Sequence, residues 1–291
     1  MRVGFIGLGA MGRPMAGHLL AAGHDLAVWA RKPESAAPLA ALGAAVCASP
    51  AELAARSEVV VTIVTASADV TGLAWGPAGL LAGFQPGGIH VDMSTIAPGV
   101  ARELAADYAA RGLGWVDAPV SGGEVGAREA SLAIMAGAEI PVLERVRPLL
   151  MAMGQKLVHI GPPGAGQVAK ACNQLIMVSA IQACAEAMHL AHAHGVDLAA
   201  VRAALLGGSA ASRVLEVMGA RMVGRDFAAG IEARLHHKDF GLALADAARL
   251  GAPLPVAAQV WQQLNALMAK GWGRDDTASL LRVLEREGSK A

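Results

Sequence analysis

The sequence predicts an α/β N-terminal domain followed by an all-α C-terminal domain, with one long helix joining them. Up to residue 162, short apolar runs alternate with helix-like segments and glycine turns, which is the pattern of βαβ units. Residues 163–194 open with a Gly/Pro turn and continue from Gln167 as an apolar stretch without Pro or Gly, which indicates a single helix. Residues 195–291 keep a helical periodicity without a convincing strand. We therefore expect domains at 1–162 and 195–291, with the helix of residues 163–194 between them.

Composition and charge favour a soluble cytoplasmic protein that binds neither nucleic acid nor membrane. Lys and Arg total 24, as do Asp and Glu, and the sequence has no basic run. The mean hydropathy of +0.44 owes much to Ala and Gly, and glycines and prolines interrupt the uncharged residues 70–91. The first twelve residues lack the features of a secretory signal. The 3 cysteines lack paired spacing, which fits a reducing compartment.

His189, His192 and His194 do not share one helical face, so we expect no metal site.

A glycine-rich turn lies between the first predicted strand, residues 3–6, and the helix that follows. Its residues are Gly7, Leu8, Gly9, Ala10, Met11 and Gly12. The first glycine of this pattern permits a tight turn, the second lets the backbone approach phosphates, and the third allows close packing of the helix. Amides and dipole at the helix N-terminus also favour a pyrophosphate. The motif therefore predicts a Rossmann-like domain that binds a dinucleotide; the alternative is a βα turn without a ligand.

The end of the second predicted strand, residues 25–30, indicates which dinucleotide is preferred. An NAD-preferring site offers Asp or Glu there to the ribose hydroxyls, whereas this sequence continues with Arg31 and Lys32. Two cations suit a 2′-phosphate. We therefore expect NADP as the preferred cofactor, with NAD as the alternative.

Later predicted strands bring further candidates to the same edge of the sheet, because ligands of such folds bind at the carboxyl ends of parallel strands. Residues 58–64 are a buried apolar run, and Val64 and Thr65 at its end are candidate cofactor contacts. The strand at residues 115–118 leads into a second glycine-rich loop with Ser121, Gly122 and Gly123. The hydroxyl and amides of this loop are candidates to hold a carboxylate, with a plain loop as the alternative.

The long helix carries a lysine among apolar neighbours near its start. Lys170 is flanked by Val168, Ala169, Ala171 and Cys172, and Asn173 follows at i+3 on the same face. Burial disfavours the charged form of a lysine, which suits a group that exchanges a proton near neutral pH. The alternative is that Lys170 extends its amino group into solvent. Further on, Lys238 lies in a charged segment, where a solvated lysine is the commoner outcome.

Four segments together resemble the β-hydroxyacid dehydrogenase family, which includes 3-hydroxyisobutyrate dehydrogenases, tartronate semialdehyde reductases and glyoxylate/succinic semialdehyde reductases. They are Phe5-Ile-Gly-Leu-Gly-Ala-Met-Gly-Arg-Pro-Met15, Asp117-Ala-Pro-Val-Ser-Gly-Gly123, Gly164-Ala-Gly-Gln-Val-Ala-Lys-Ala-Cys-Asn173 and Lys238-Asp239-Phe240. Their order and spacing match the family over essentially the whole chain.

The resemblance implies a role for each matching residue. Lys170 is the catalytic acid/base, and Asn173 helps to place the substrate. Ser121, Gly122 and Gly123 hold the substrate carboxylate, while Thr95 and Lys238 lie beside the nicotinamide. The implied reaction interconverts a short β- or γ-hydroxy acid and its semialdehyde by hydride transfer. A homodimer or homotetramer through the helical domain is also implied. The alternatives are an imine reductase-like activity and a dinucleotide-binding protein without chemistry.

Overall fold

The computed structural model describes residues 1–285, which form two compact units that divide between Lys170 and Ala171. The first unit is α/β, the second is helical, and the long helix contains the boundary. This arrangement confirms the predicted fold class. Residues 286–291, which belong to the predicted domain 195–291, lie outside the described residues.

Within the described residues, the strands of the first unit form a single 9-stranded sheet. They are β1 (Arg2–Ile6), β2 (Asp25–Trp29), β3 (Ala45–Val46), β4 (Val59–Thr62), β5 (Ile89–Asp92), β6 (Gly114–Asp117), β7 (Val120–Ser121), β8 (Leu132–Gly137) and β9 (Gly154–Gly161).

Helices cover this sheet and build the second unit. Those up to residue 151 are α1 (Gly12–Ala21), α2 (Ala37–Ala40), α3 (Pro50–Arg56), α4 (Ser67–Trp75), α5 (Leu80–Gly83), α6 (Pro98–Ala109), α7 (Gly123–Arg128) and α8 (Ile140–Met151). The long helix is α9 (Ala165–Ala193), and it is followed by α10 (Leu198–Leu206), α11 (Arg213–Val223), α12 (Ala233–Leu250), α13 (Pro255–Ala269) and α14 (Leu280–Leu284).

The order of the strands fixes where a ligand can bind. The order is β3-β2-β1-β4-β5-β6-β8-β7, with β9 beside β8, and strands β1 to β6 run parallel. The chain winds outwards in both directions from the β1/β4 pair. Dinucleotides bind in the crevice at such a switch point, beyond the carboxyl ends of the strands. The turn after β1 and the turn after β4 therefore face the expected ligand.

Two parts of the first unit differ from the sequence-based prediction. The glycines and prolines of the uncharged residues 70–91 indicated a turn before the strand at residue 89, yet the end of helix α4 and all of helix α5 lie among these residues. The segment with Ser121, Gly122 and Gly123 was expected as a loop. Instead Val120 and Ser121 form strand β7, which pairs with Ile134 and Ala133 of β8, and Gly123 begins helix α7. The pairing with β8 is non-local, so local glycine content could not reveal it.

A polar cluster lies fully buried between β4, β5 and α6. The hydroxyl of Thr62 donates to Asp92 at 2.7 Å and lies 2.8 Å from Nε2 of His90. Nδ1 of His90 lies 2.8 Å from the Tyr108 hydroxyl, and Trp115 packs edge-on against the imidazole. Burial lowers the pKa of His90 to about 3, so the imidazole is neutral at physiological pH. Hydrogen bonding compensates for the loss of solvation of these groups and fixes their geometry.

The second unit is organised around the later turns of α9. Val178, Ile181, Ala185 and Met188 of this helix are fully buried in its core. Helix α9 is long and apolar enough to cross a membrane by length and composition alone, a test that buried core helices also meet. In its most apolar window of 18 residues, 39% is buried.

The glycines of the turn between β1 and α1 differ in the space around them. A Cβ atom at Gly7, which has a φ of +102°, would lie 2.0 Å from the carbonyl oxygen of Ile63. A Cβ atom at Gly12 would lie 1.8 Å from the carbonyl oxygen of Gly7. A Cβ atom at Gly9 would meet nothing within 4 Å. The fold therefore needs glycine at positions 7 and 12, whereas at position 9 it leaves open space.

We expect Gly12→Ala to destabilise the protein by about 1–3 kcal/mol, because backbone atoms meet the added methyl group and must shift. Gly9→Ala should change the free energy of unfolding by less than about 0.5 kcal/mol, since the methyl group contacts no protein atom. Denaturation midpoints of both variants, measured without ligand, test this difference. Equal loss of stability in the two variants would contradict it.

Candidate functional site

A cleft of about 650 Å³ opens at the carboxyl edge of the sheet, beside the switch point between β1 and β4. The predicted cofactor contacts that line this cleft are Gly7, Leu8, Gly9, Arg31, Lys32, Val64 and Thr65. The turns after β1, β2 and β4 bring these residues together from distant parts of the sequence. The cleft has the position and the size that a dinucleotide requires in this type of fold.

The remaining residues of the glycine motif do not line the cleft. Ala10 is exposed, Met11 packs partly buried against the core, and Gly12 begins α1. Met11 is also the N-cap residue of α1, and its side chain cannot accept hydrogen bonds from the first helical amides as Ser or Asp would. Those amides suit an external anion. Together with the open space at Gly9, this arrangement fits the pyrophosphate of a dinucleotide.

The lining of the cleft combines charged and apolar side chains. Arg31 and Lys32 are exposed at its rim, with Ser35 nearby in the lining. Trp29, Leu73 and Pro77 supply apolar surface. The sequence did not reveal the contribution of α4 and the segment after it, because the glycines and prolines of residues 70–91 indicated a turn. The lining residues from this region are Ala68, Asp69, Gly72, Leu73, Gly76, Pro77, Ala78 and Gly79.

Lys170 lies near the start of α9, and its residue is 8% exposed. The first turn of this helix is bound to the end of β6 by Asp117, whose carboxylate accepts hydrogen bonds from the amides of Gly164 at 2.6 Å and Gln167 at 3.0 Å. Burial raises the pKa of Asp117 to about 7, although these two amides act in the opposite direction. An acidic side chain of the sheet thus caps the helix that carries the predicted catalytic lysine.

The predicted carboxylate-binding segment has an unusual backbone. Gly122 has a φ of +136° and Gly123 a φ of +62°, conformations that favour glycine. Ser121 ends β7 and is half-buried. These glycines connect strand β7 directly to α7. The hydroxyl of Ser121 and the first amides of α7 are therefore close to each other in sequence.

Two predicted site residues of the second unit belong to one chain of hydrogen bonds. Asn173 Nδ2 donates to Gln174 Oε1 at 2.9 Å, and Gln174 Nε2 donates to Asp239 Oδ2 at 2.6 Å. Lys238 Nζ lies 3.0 Å from Asp239 Oδ1. Gln174 and Asp239 are both buried. Gln174 was not among the predicted site residues, although it lies at i+4 from Lys170, a helical spacing that also places two residues on one face.

Among residues 1–285, no group of three or more His, Cys, Asp or Glu side chains has the arrangement of a metal site.

Known families match the two parts of the chain in turn. Residues 2–161 match the model described as the NAD-binding domain of 6-phosphogluconate dehydrogenase. Residues 164–284 match the model described as NAD-binding of NADP-dependent 3-hydroxyisobutyrate dehydrogenase.

Individual relatives match over nearly the whole chain. The 2-hydroxy-3-oxopropionate reductase of Escherichia coli K12 is 40% identical over 285 residues, which cover 98% of this chain and 97% of that protein. The structure of Mycobacterium tuberculosis 3-hydroxyisobutyrate dehydrogenase with L-serine is 32% identical, with a TM-score of 0.91 and coverage of 98% and 100%. The structure of Psf3 with NADP+ and 2-OPP is 26% identical, with a TM-score of 0.87 and coverage of 97% and 100%. The chain belongs to the β-hydroxyacid dehydrogenase family and is an NAD(P)-dependent oxidoreductase.

Proposed function

We propose that this enzyme reduces the aldehyde group of a short aldehyde acid and, in the reverse direction, oxidises the corresponding β- or γ-hydroxy acid, with NADP as its preferred cofactor. The observation that carries the proposal is Lys170, a buried lysine on a helix that Asp117 fixes to the ligand-binding edge of the sheet. Of the relatives named above, one is a 2-hydroxy-3-oxopropionate reductase and another has a structure with L-serine. Both compounds are short, polar carboxylic acids.

Each site residue has a defined task in this proposal. Lys170 Nζ donates a proton to the oxygen that develops negative charge during reduction, and neutral Lys170 accepts the hydroxyl proton during oxidation. When bound, the dinucleotide would supply the hydride to the carbonyl carbon, or receive it from the alcohol carbon. Ser121, Gly122 and Gly123 bind the substrate carboxylate, and Asn173 orients the substrate. Fixing the carboxylate sets the distance from the acid end to the reacting carbon.

The cofactor is bound in the cleft of the first unit. Gly7, Leu8 and Gly9, with the N-terminus of α1, hold the pyrophosphate, and Ala10, Met11 and Gly12 shape that turn. Val64 and Thr65 form the wall after β4, while Thr95 and Lys238 lie by the nicotinamide. Arg31 and Lys32 bind the 2′-phosphate, because guanidinium and ammonium groups form strong charge-assisted hydrogen bonds with phosphate.

Assembly and location complete the proposal. We propose a cytoplasmic homodimer or homotetramer that associates through the helical unit. Cys47, Cys172 and Cys184 are free thiols, as expected in a reducing compartment. Ile176 and Leu190 on α9 are 74% and 62% exposed, and large apolar side chains of this kind suit an interface between subunits.

We expect the enzyme to reduce at least one of glyoxylate, succinic semialdehyde, tartronate semialdehyde and methylmalonate semialdehyde, faster with NADPH than with NADH. Initial rates on this panel test the proposal, and propionaldehyde is the control that lacks a carboxylate. Turnover of propionaldehyde at the same kcat/KM would contradict a carboxylate-binding site. No turnover of any aldehyde acid by enzyme that binds NADPH would contradict the proposed reaction.

We expect Arg31→Ala to weaken NADPH binding by about 10- to 100-fold, because one charge-assisted hydrogen bond to a phosphate contributes about 1.5–3 kcal/mol. NADH binding should change by less than about twofold, since NADH lacks the 2′-phosphate. Equilibrium binding of both dinucleotides measures the effect, and the exposed Arg111, which does not line the cleft, provides the control Arg111→Ala. An unchanged ratio of the two affinities would remove Arg31 from cofactor selection.

A further inference from the structure

The side chain of Gln167 spans the two backbone groups that flank Thr95. Gln167 Nε2 donates to the carbonyl oxygen of Ser94 at 2.9 Å, and the amide of Ile96 donates to Gln167 Oε1 at 3.1 Å. Gln167 is 1% exposed, so no water competes for either bond. The nitrogen and the oxygen of one side-chain amide therefore both bind the backbone of residues 94–96.

The backbone of Gln167 is held as well. Its amide donates to Asp117, as described above. The adjacent Gly166 packs so closely that a Cβ atom there would lie 2.4 Å from the carbonyl oxygen of Met135 and 2.7 Å from that of Asp117. The first turn of α9 is thus pressed against the ends of β6 and β8, which leaves Gln167 little freedom to move.

Ser94 extends the connection to the cofactor cleft. Its hydroxyl donates to Asp92 at 2.6 Å and accepts a hydrogen bond from the amide of Val64 at 2.8 Å. Val64 lines the cleft. A continuous set of hydrogen bonds therefore runs from the cleft wall through Ser94 to Gln167, and Lys170 lies one helical turn further on, at i+3.

We propose that Gln167 is a positioning residue of the reaction, which sets the placement of Lys170 relative to Thr95 and the cleft wall. This inference rests on the proposed function, in which Thr95 lies by the nicotinamide and Lys170 transfers the proton. Both hydride and proton must reach the same carbonyl group, so their sources need a fixed separation. Displacement of a catalytic group by about 1 Å can lower a rate by about 100-fold.

The chemistry of the contact explains why an amide stands at this position. The side chain must donate to Ser94 and accept from Ile96 at the same time, which the primary amide of glutamine does. A methionine of similar length does neither. A glutamate of the same shape does both only when it is protonated, because a carboxylate has no hydrogen to donate to the Ser94 carbonyl.

The test compares Gln167→Met and Gln167→Glu with the wild type on the best substrate of the panel. We expect Gln167→Met to lower kcat by about 10- to 100-fold, with NADPH affinity within about threefold of wild type. Gln167→Glu should show a similar loss at high pH. Its kcat relative to wild type should rise as pH falls and the buried carboxyl group becomes protonated, whereas the ratio for Gln167→Met should stay constant.

A matched control separates positioning from general damage to the helix. Gln182 is a buried glutamine on the same helix, 4% exposed, whose amide donates to Glu186 at 2.8 Å. Gln182→Met should keep kcat within about twofold of wild type. Equal losses of kcat in Gln182→Met and Gln167→Met would overturn the proposal, and so would a wild-type kcat in Gln167→Met. If Gln167→Met does not fold, Gln167→Glu decides alone, and a ratio that does not change with pH overturns the role of Gln167.

The outcomes also separate this inference from the proposed function. Wild-type enzyme without activity on the aldehyde acids contradicts the proposed function itself. An active wild type beside equally active Gln167 variants contradicts only the positioning role.

Discussion

The carboxylate of Asp117 is the constraint on which the candidate site depends, because it joins the sheet to the helix that carries Lys170. Asp117 ends β6 and accepts hydrogen bonds from the first turn of α9. A carboxylate in this position satisfies amides that the helix itself leaves unpaired, and the helix dipole favours its charge. Gly137 and Gly166 permit the close contact, since a Cβ atom at either would lie within 2.8 Å of Asp117. These contacts therefore hold the first turn of α9 against the ends of β6 and β8.

Hydrogen bonds between buried polar groups fix further positions across the first unit. The cluster of Thr62, His90 and Tyr108 meets Asp92, which binds the hydroxyl of Ser94, and Ser94 contacts both the cleft wall and Gln167. A core built from valine and leucine alone would pack as well, yet it would specify these positions less strictly, because apolar contacts have no direction. The strand order brings these groups to the edge where the chain also turns around Gly7.

Local patterns in the sequence were sufficient to predict the fold class and the glycine-rich turn between β1 and α1. The apolar run of β4, the glycines after β1 and the uninterrupted stretch of α9 are each continuous in the sequence, so they can be recognised without knowledge of the fold. Contacts such as Gln167 with Ser94, or Gln174 with Asp239, join residues that are 73 and 65 positions apart and depend on the completed fold. Helices α4 and α5 were hidden for another reason, because their glycines and flanking proline resemble those of a turn.

The measurement that tests the central claim most directly is turnover by Lys170→Ala, with NADPH binding determined on the same sample. A general acid contributes about 10²- to 10⁴-fold to a rate, so the account predicts a loss of kcat in this range and dinucleotide affinity within about threefold of wild type. Lys156→Ala is the control, since Lys156 is an exposed lysine of β9. Turnover by Lys170→Ala at the wild-type rate would contradict the account.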